Sequence, residues 1–435
     1  MRSCSLLIIK INKKNTQHTY FEKLMHTTKA VWKSRLGALG PGILMATAAI
    51  GGSHLVASTQ AGAIFGWQLF WLILVVNVLK YPFFRFGMEY TLATKNSLVE
   101  GYKSKGPFYF YSFIGLNIVA AVVNTAGVLL LTASLLHYAL PVVIEVTLLC
   151  WILLGVCLAI LLLGHFKALD SVAKGIMGLL TLATVIALVI AFSNGPMAPA
   201  DYVGPSPYEL AMLSFMVALM GWMPAPIEIS ALSSLWLKEK QAQQTVSKSQ
   251  GLFDFNVGYW LTAGLALVFF SLGVLVQYGQ TSSIELGGVA FAKQLIDMYA
   301  LTIGEWARPL VSAIAFLCMF GTTLTVLDGY ARTLNESHKL LGFKQSKHSL
   351  NIWLVLQAFA GMAVILFFKS ALGPMLTFAM TLSFVTTPVF AWLNFSLVRS
   401  EPAIKHSVLL RSLTWLGLVY LVGFAVAFVV WKLAA

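Results

Sequence analysis

Residues 40–63 of this 435-residue chain read GPGILMATAAIGGSHLVASTQAGA, an apolar run long enough to cross a bilayer but broken at its middle by Gly51, Gly52, Ser53 and His54. Each glycine disfavours a helix by about 1 kcal/mol, and Ser53 competes for backbone hydrogen bonds, so the helix is expected to open at membrane depth. The freed carbonyls and amides cannot face lipid. They are tolerated only where protein or a water-filled cavity satisfies them, which is how transporters build sites at the membrane midplane.

That reading requires a membrane chain, and the composition supplies one. With 58% hydrophobic and 10% charged residues, the chain holds more apolar side chains than a soluble core could use. Apolar runs give about eleven spans, near 38–62, 67–88, 108–136, 141–163, 169–193, 209–236, 252–278, 306–331, 349–368, 371–398 and 410–432. The expected class is an all-α integral membrane protein. No soluble domain fits between the spans, and no nucleotide-binding loop, triad spacing or zinc-protease motif appears, so neither an enzyme nor a resident cofactor is expected.

The net charge of +13 is distributed as topology demands rather than as a nucleic-acid surface would be. With the N-terminus inside, the inner loops collect Lys95, Lys103, Lys105, Lys167, Lys174, Lys238, Lys240, Lys248, Arg332, Lys339, Lys344, Lys347, Arg399, Lys405 and Arg411. The outer side holds Lys293, Arg308, Lys369 and Lys432. This asymmetry implies a multi-pass cell-membrane protein, of the bacterial inner membrane by its short loops, with a cytoplasmic N-terminus and an outside C-terminus. Its partners are the lipid bilayer and a small ion or solute, with no nucleic acid. SLLII at 5–9 is too short to span, no signal-peptide cleavage site is evident, and Met25 is an alternative start. Cys4, Cys150, Cys157 and Cys318 lack metal-ligand spacing and are assigned no role.

A second break lies in the sixth span at WMPAP, where Pro224 and Pro226 cannot donate helical hydrogen bonds. Two broken helices of opposite direction, each heading five spans, point to a 5+5 inverted repeat with the substrate between the breaks. The organisation expected is a tail over 1–36 and one transporter domain over 37–435: a first repeat 37–193, a Pro- and Gly-rich linker 194–208, a second repeat 209–398 and an extra helix 410–432.

Gly40-Pro41-Gly42, followed by Gln60-Ala61-Gly62-Ala63, resembles the first helix of the Nramp family of proton-coupled divalent metal transporters, in the amino acid–polyamine–organocation superfamily. Met223-Pro224 is similar to that family's Met-Pro in helix 6. The resemblance implies a metal site in which the family's Asp-Pro-Gly-Asn falls on Gly51, Gly52, Ser53 and His54, so that Gly51 and His54 stand at ligand positions. It also implies a thioether ligand at Met223 and a carbonyl ligand at Met220. Ala225 replaces the family's proton-linked histidine, and Asn124 is the most polar residue where its third helix carries an aspartate, so coupling of the family type is not expected. Imidazole with thioether would suit a soft transition metal.

Other polar groups within the spans extend this reading. Glu228, five residues after Met223, is a pathway candidate because an intramembrane glutamate is functional by default; Ser53, Ala225 and Asn124 join it. Asp328 and Arg332 are placed to pair at a helix end. Asp254, Lys80 and Arg85 are placed near inner span ends, to snorkel or to form a gate. Thr386, Thr387, Pro388 and Asn394 mark the tenth span as polar and kinked, for a pathway wall or for helix packing. Two alternatives stand beside metal transport: an organic anion or zwitterion attracted to the amides near Ser53, and a sensor that binds without transport.

Overall fold

The computed structural model describes residues 37, 39–163, 166–280, 288–368 and 372–434. The tail over 1–36, with Cys4 and the alternative start at Met25, lies outside them, as does Lys369. The regular structure of the described residues is all helix, with no strand among them.

The first expected span is two pieces: α1 (Pro41–Ala49), then an extended residue at Ile50, and a π-helical turn (Ser53–Ser58) running into α2 (Thr59–Phe65). The chain reverses at Gly66, whose φ of 56° is one that side chains rarely adopt, and enters α3 (Phe70–Thr94). A short helix, α4 (Leu98–Lys105), precedes the third span, α5 (Pro107–Ala139), and α6 (Val146–Leu163) and α7 (Phe166–Asn194) complete the first half. The sixth span is also two pieces, α8 (Leu213–Gly221) and α9 (Ile229–Gln243). Then come α10 (Lys248–Leu272), continued by a π-helical turn to Gln277, α11 (Gly288–Ile303), α12 (Arg308–Leu340), α13 (Ser349–Phe367), α14 (Leu372–Ser400) and α15 (Val408–Ala434).

Nine helices among the described residues are long and apolar enough to cross a membrane; one of them, Ser53–Thr94, fuses the second piece of the first span to the second span. Adding the two broken spans gives the eleven expected, each near its expected bounds. The halves match in order: broken helix, long helix, short helix, long helix. The short helices α4 and α11 occupy equivalent places in the two halves. Sequence reading placed no helix at 288–303, because α11 is too short and too charged to register as a span.

α5 and α12, the third span of each half, form the most extensive helix pair among the described elements. A ladder of polar contacts joins them: Asn117 to Thr333 at 3.0 Å, Asn124 to Tyr330 at 2.8 Å and Thr132 to Thr323 at 2.8 Å. Such contacts hold spans together where no hydrophobic force drives association. α1 packs among α7, α9, α10 and α12, while α8 packs on α14.

Glycine sets the closest of these crossings. A Cβ at Gly42 would lie 2.1 Å from the carbonyl oxygen of Asp254, and one at Gly258 would lie 2.0 Å from the carbonyl of Gly42. Only hydrogen fits between α1 and α10 there.

Candidate functional site

The Gly-Pro-Gly start of α1 has a local cause. The amides of Gly40 and Gly42 donate to the two carboxylate oxygens of Asp254 in α10, at 2.9 and 2.8 Å, and Pro41 between them has no N–H to satisfy. A buried carboxylate thus caps the positive end of the half-helix, where its charge is favoured. Asp254, placed by sequence near an inner span end, joins the first span to the seventh.

At the other end of α1, the carbonyls freed by the break meet α12. The Thr322 hydroxyl lies 2.9 Å from the Thr47 carbonyl and 2.8 Å from that of Ile50, and the Cys318 thiol reaches Ile50 at 3.6 Å. Neutral donors therefore finish this helix. Cys150, Cys157 and Cys318 are buried free thiols.

The break in the sixth span is finished by a charge. Lys80 of α3 is fully buried, and its ammonium donates to the carbonyls of Met220 at 2.7 Å, Gly221 at 3.0 Å and Ala225 at 3.4 Å. This corrects the expectation that Lys80 snorkels: it reaches inward and neutralises the negative end of α8. The carbonyl of Met220, an implied ligand position, accepts from this ammonium.

The two breaks meet at Gly52 and Trp222, where a Cβ on Gly52 would lie 2.6 Å from the indole. Trp222 donates to Ser383 of α14 at 3.0 Å. Gly51, Gly52, Ser53, Asn124, Trp222, Pro226 and Thr322 border a cavity of about 20 Å³, room for about one water.

The implied metal ligands are not assembled around it. His54 is buried, its Nε2 lies 2.8 Å from the Thr262 carbonyl, and its Nδ1 lies 2.6 Å from the Ser53 hydroxyl. A carbonyl can only accept, so Nε2 carries the proton and the ring is turned to α10. The Met223 sulfur faces the Ser58 hydroxyl instead, at 3.9 Å. Gly51 offers no side chain, and no group of three His, Cys, Asp or Glu residues able to hold a metal occurs among the described residues. Pro224 and Pro226 lie in the non-helical stretch between α8 and α9, as their lack of a donor requires.

Glu228 and Asn124, two candidates from different spans, do come together. Asn124 Nδ2 lies 3.4 Å from Glu228 Oε1, and Tyr330 of α12, which sequence reading passed over, donates to the same oxygen at 3.3 Å. Asp328 pairs with Arg332 at 2.8 Å as the four-residue spacing predicts, and also accepts from Trp236. Asn394 bonds the Phe83 carbonyl, Ser230 and Tyr102, so it packs helices rather than lining a path.

A larger cavity, about 270 Å³, lies between the α2 and α8 half-helices, with α11 and α14 completing its wall. Val56, Ala57, Leu219 and Met380 are among its buried lining, and Ala211 and Thr377 are exposed at its edge. Gln60 also lines it. That residue is 5% exposed, and its amide nitrogen has no hydrogen-bond partner. Gln60 belongs to the motif singled out in the first helix, but nothing in the sequence distinguishes a bonded glutamine from an unbonded one.

No protein-family model matches the chain. It is 54% identical over 407 residues, 92% of its length and 94% of the other's, to the uncharacterized protein PM0681 of Pasteurella multocida (strain Pm70). The chain belongs to that protein's family. Solved structures with the same fold include the Eremococcus coleocola manganese transporter in complex with an aromatic bis-isothiourea substituted compound (TM-score 0.67, 14% identity, 91% of this chain and 86% of that one). Another is Mhp1, a nucleobase-cation-symport-1 family transporter, in a closed conformation with bromovinylhydantoin bound (TM-score 0.59, 14% identity, 91% and 88%).

Both solved structures are of transporters, and this chain shares their fold. The comparisons overturn the Nramp assignment made from helices 1 and 6: no family model supports it, and likeness at this identity extends to transporters of unlike cargo. The motif that suggested it, Gly-Pro-Gly, is accounted for by its contact with Asp254.

Proposed function

We propose that this chain is a secondary transporter that moves a small organic solute by alternating access about its two helix breaks. The observation that carries the reading is the cavity of about 270 Å³ bordered by both half-helices, with the unpartnered Gln60 amide in its wall. Its size is near the lower end of small-molecule sites, roughly 300 Å³ upward, and it is mostly apolar with few polar groups, as such sites are. The free N–H of Gln60 calls for an acceptor on the solute, a carboxylate or ring carbonyl oxygen.

Gly51, Gly52, Ser53, Trp222, Met223 and Ala225 are then the hinge region of the pathway, with His54 holding the second piece of helix 1 to α10 through Thr262. The asymmetry of lysine and arginine supports a cell-membrane protein with its N-terminus cytoplasmic and C-terminus outside. In that orientation the cavity lies on the outer side, and the Asp254 cap on α1 closes the inner side. A transporter of this kind needs no enzymatic step and no resident cofactor.

Uptake into proteoliposomes tests this. The panel is lactate, leucine, uracil and hydantoin, against manganese, iron, zinc and copper. Saturable uptake of one organic probe, weakened in Gln60→Ala, supports the proposal. Saturable metal uptake lost in both His54→Ala and Met223→Ala would replace it with the metal reading, and binding without flux would leave a sensor.

A further inference from the structure

We propose that Glu228 is a proton-binding site that couples solute movement to a proton gradient; the coupling, though not the proton site itself, rests on the transporter reading above. Glu228 stands at the start of α9, fully buried, at the positive end of that half-helix. Oε1 receives two long hydrogen bonds, from Asn124 and Tyr330, at 3.4 and 3.3 Å. Oε2 receives none. A carboxylate can accept about four hydrogen bonds, and buried polar atoms in folded proteins are almost always paired, so this oxygen is held short of its complement.

Beside it lies a cavity of about 80 Å³ between α5 and α14, whose polar lining is Asn124, Glu228, Ser383 and Thr386. That space and those partners suffice to hold water beside the carboxyl. The groups facing Glu228 are few. α12 presents Tyr330, and α3 presents the Lys80 ammonium across the break. α5 and α14 present the uncharged side chains of Asn124, Ser383 and Thr386. Asp328, on α12, is engaged with Arg332 and Trp236 instead.

The proton step is simple. A hydronium at the cavity gives its proton to Oε2, one O–H bond breaking to leave water as another forms on the carboxyl. Tyr330 and Asn124 keep donating to Oε1. The charge of the break changes with it. Lys80 remains fixed on three carbonyls, so protonation of Glu228 leaves a net positive charge at the half-helix ends. A positive break favours arrival of an acidic solute, and its departure favours release of the proton. This is the logic of proton–anion symport.

Two measurements on the full-length protein in liposomes test it. The first is an infrared difference spectrum between acid and alkaline buffer, which needs no solute. Wild type is expected to gain a protonated-carboxyl stretch that is absent in Glu228→Gln and shifted in Tyr330→Phe. Identical spectra for wild type and Glu228→Gln would overturn the site. The second follows internal pH and labelled lactate together. Glu228→Gln is expected to keep lactate exchange, which reports a folded carrier, while losing proton movement and at least about tenfold in gradient-driven accumulation. Undiminished gradient-driven accumulation in that variant would overturn the coupling. Failure of every organic probe to move in wild type would count against the transporter reading, with the infrared result standing separately.

Discussion

The ammonium of Lys80, in the second span, lies 2.7 Å from the carbonyl of Met220, 140 residues away at the break of the sixth. A fixed cation therefore finishes the broken end of α8. Replacing it by methionine would leave the carbonyls of Met220, Gly221 and Ala225 buried without their donor. Lys80→Met is expected to lose stability on the order of 3 kcal/mol, read as a lower melting temperature of the detergent-solubilised protein. A variant as stable as wild type would show that the ammonium does not hold the break.

Asp254 does for α1 what Lys80 does for α8, with the opposite charge at the opposite helix end. Asp254→Ala removes both acceptors of the Gly40 and Gly42 amides and should loosen the start of α1 by about 1.4 kcal/mol, a tenfold shift toward an open inner side. In a background lacking the native cysteines, Thr47→Cys should then react with a thiol reagent about tenfold faster. Unchanged labelling would separate Asp254 from gating.

The glycines of α1 and α10 give a matched pair of substitutions. Gly42→Ala puts a methyl 2.1 Å from a backbone oxygen that cannot move aside, whereas a Cβ at Gly264 meets nothing within 4 Å. Gly42→Ala should destabilise by about 2 kcal/mol or more. Gly264→Ala should be neutral or stabilising by up to about 1 kcal/mol through helix propensity. Equal melting temperatures for the two would contradict the close crossing.

Outside the spans, α4 is tied to α9 by a contact that depends on pH. Burial acts to raise the Glu100 carboxyl, but Lys238 at 2.6 Å and the Ser97 cap outweigh it and hold the group below its ordinary value. A depressed folded value means that the stabilising contribution is present above the unfolded value of about 4.3 and is lost as pH falls through the folded one. Acidification from neutrality to about pH 3, below the unfolded value, should therefore cost wild type more stability than Lys238→Ala, measured by thermal melts at each pH. Parallel losses would show that the pair contributes nothing.

The spans and both breaks were legible because lipid imposes them on sequence directly: a span must be apolar over its whole length, and Gly51-Gly52 or Pro224-Pro226 must interrupt it. Glu228 stood out for the same reason, as a rare charge in an apolar stretch. What Lys80, Asp254 and Tyr330 bond to was not legible, since each partner lies in a different span and no local period encodes the pairing. α11 escaped because it is amphipathic rather than apolar. The family resemblance failed because two short motifs, one explained by a helix cap, were asked to identify a cargo as well as a fold.

The central claim is that the cavity between the half-helices carries an organic solute, and exchange of labelled probes by purified protein in liposomes tests it most directly. The account predicts saturable counterflow of at least one of lactate, leucine, uracil or hydantoin, weakened about tenfold or more in Gln60→Ala and unaffected by manganese, iron, zinc or copper. Saturable uptake of a metal ion with no organic counterflow, abolished by both His54→Ala and Met223→Ala, would contradict it.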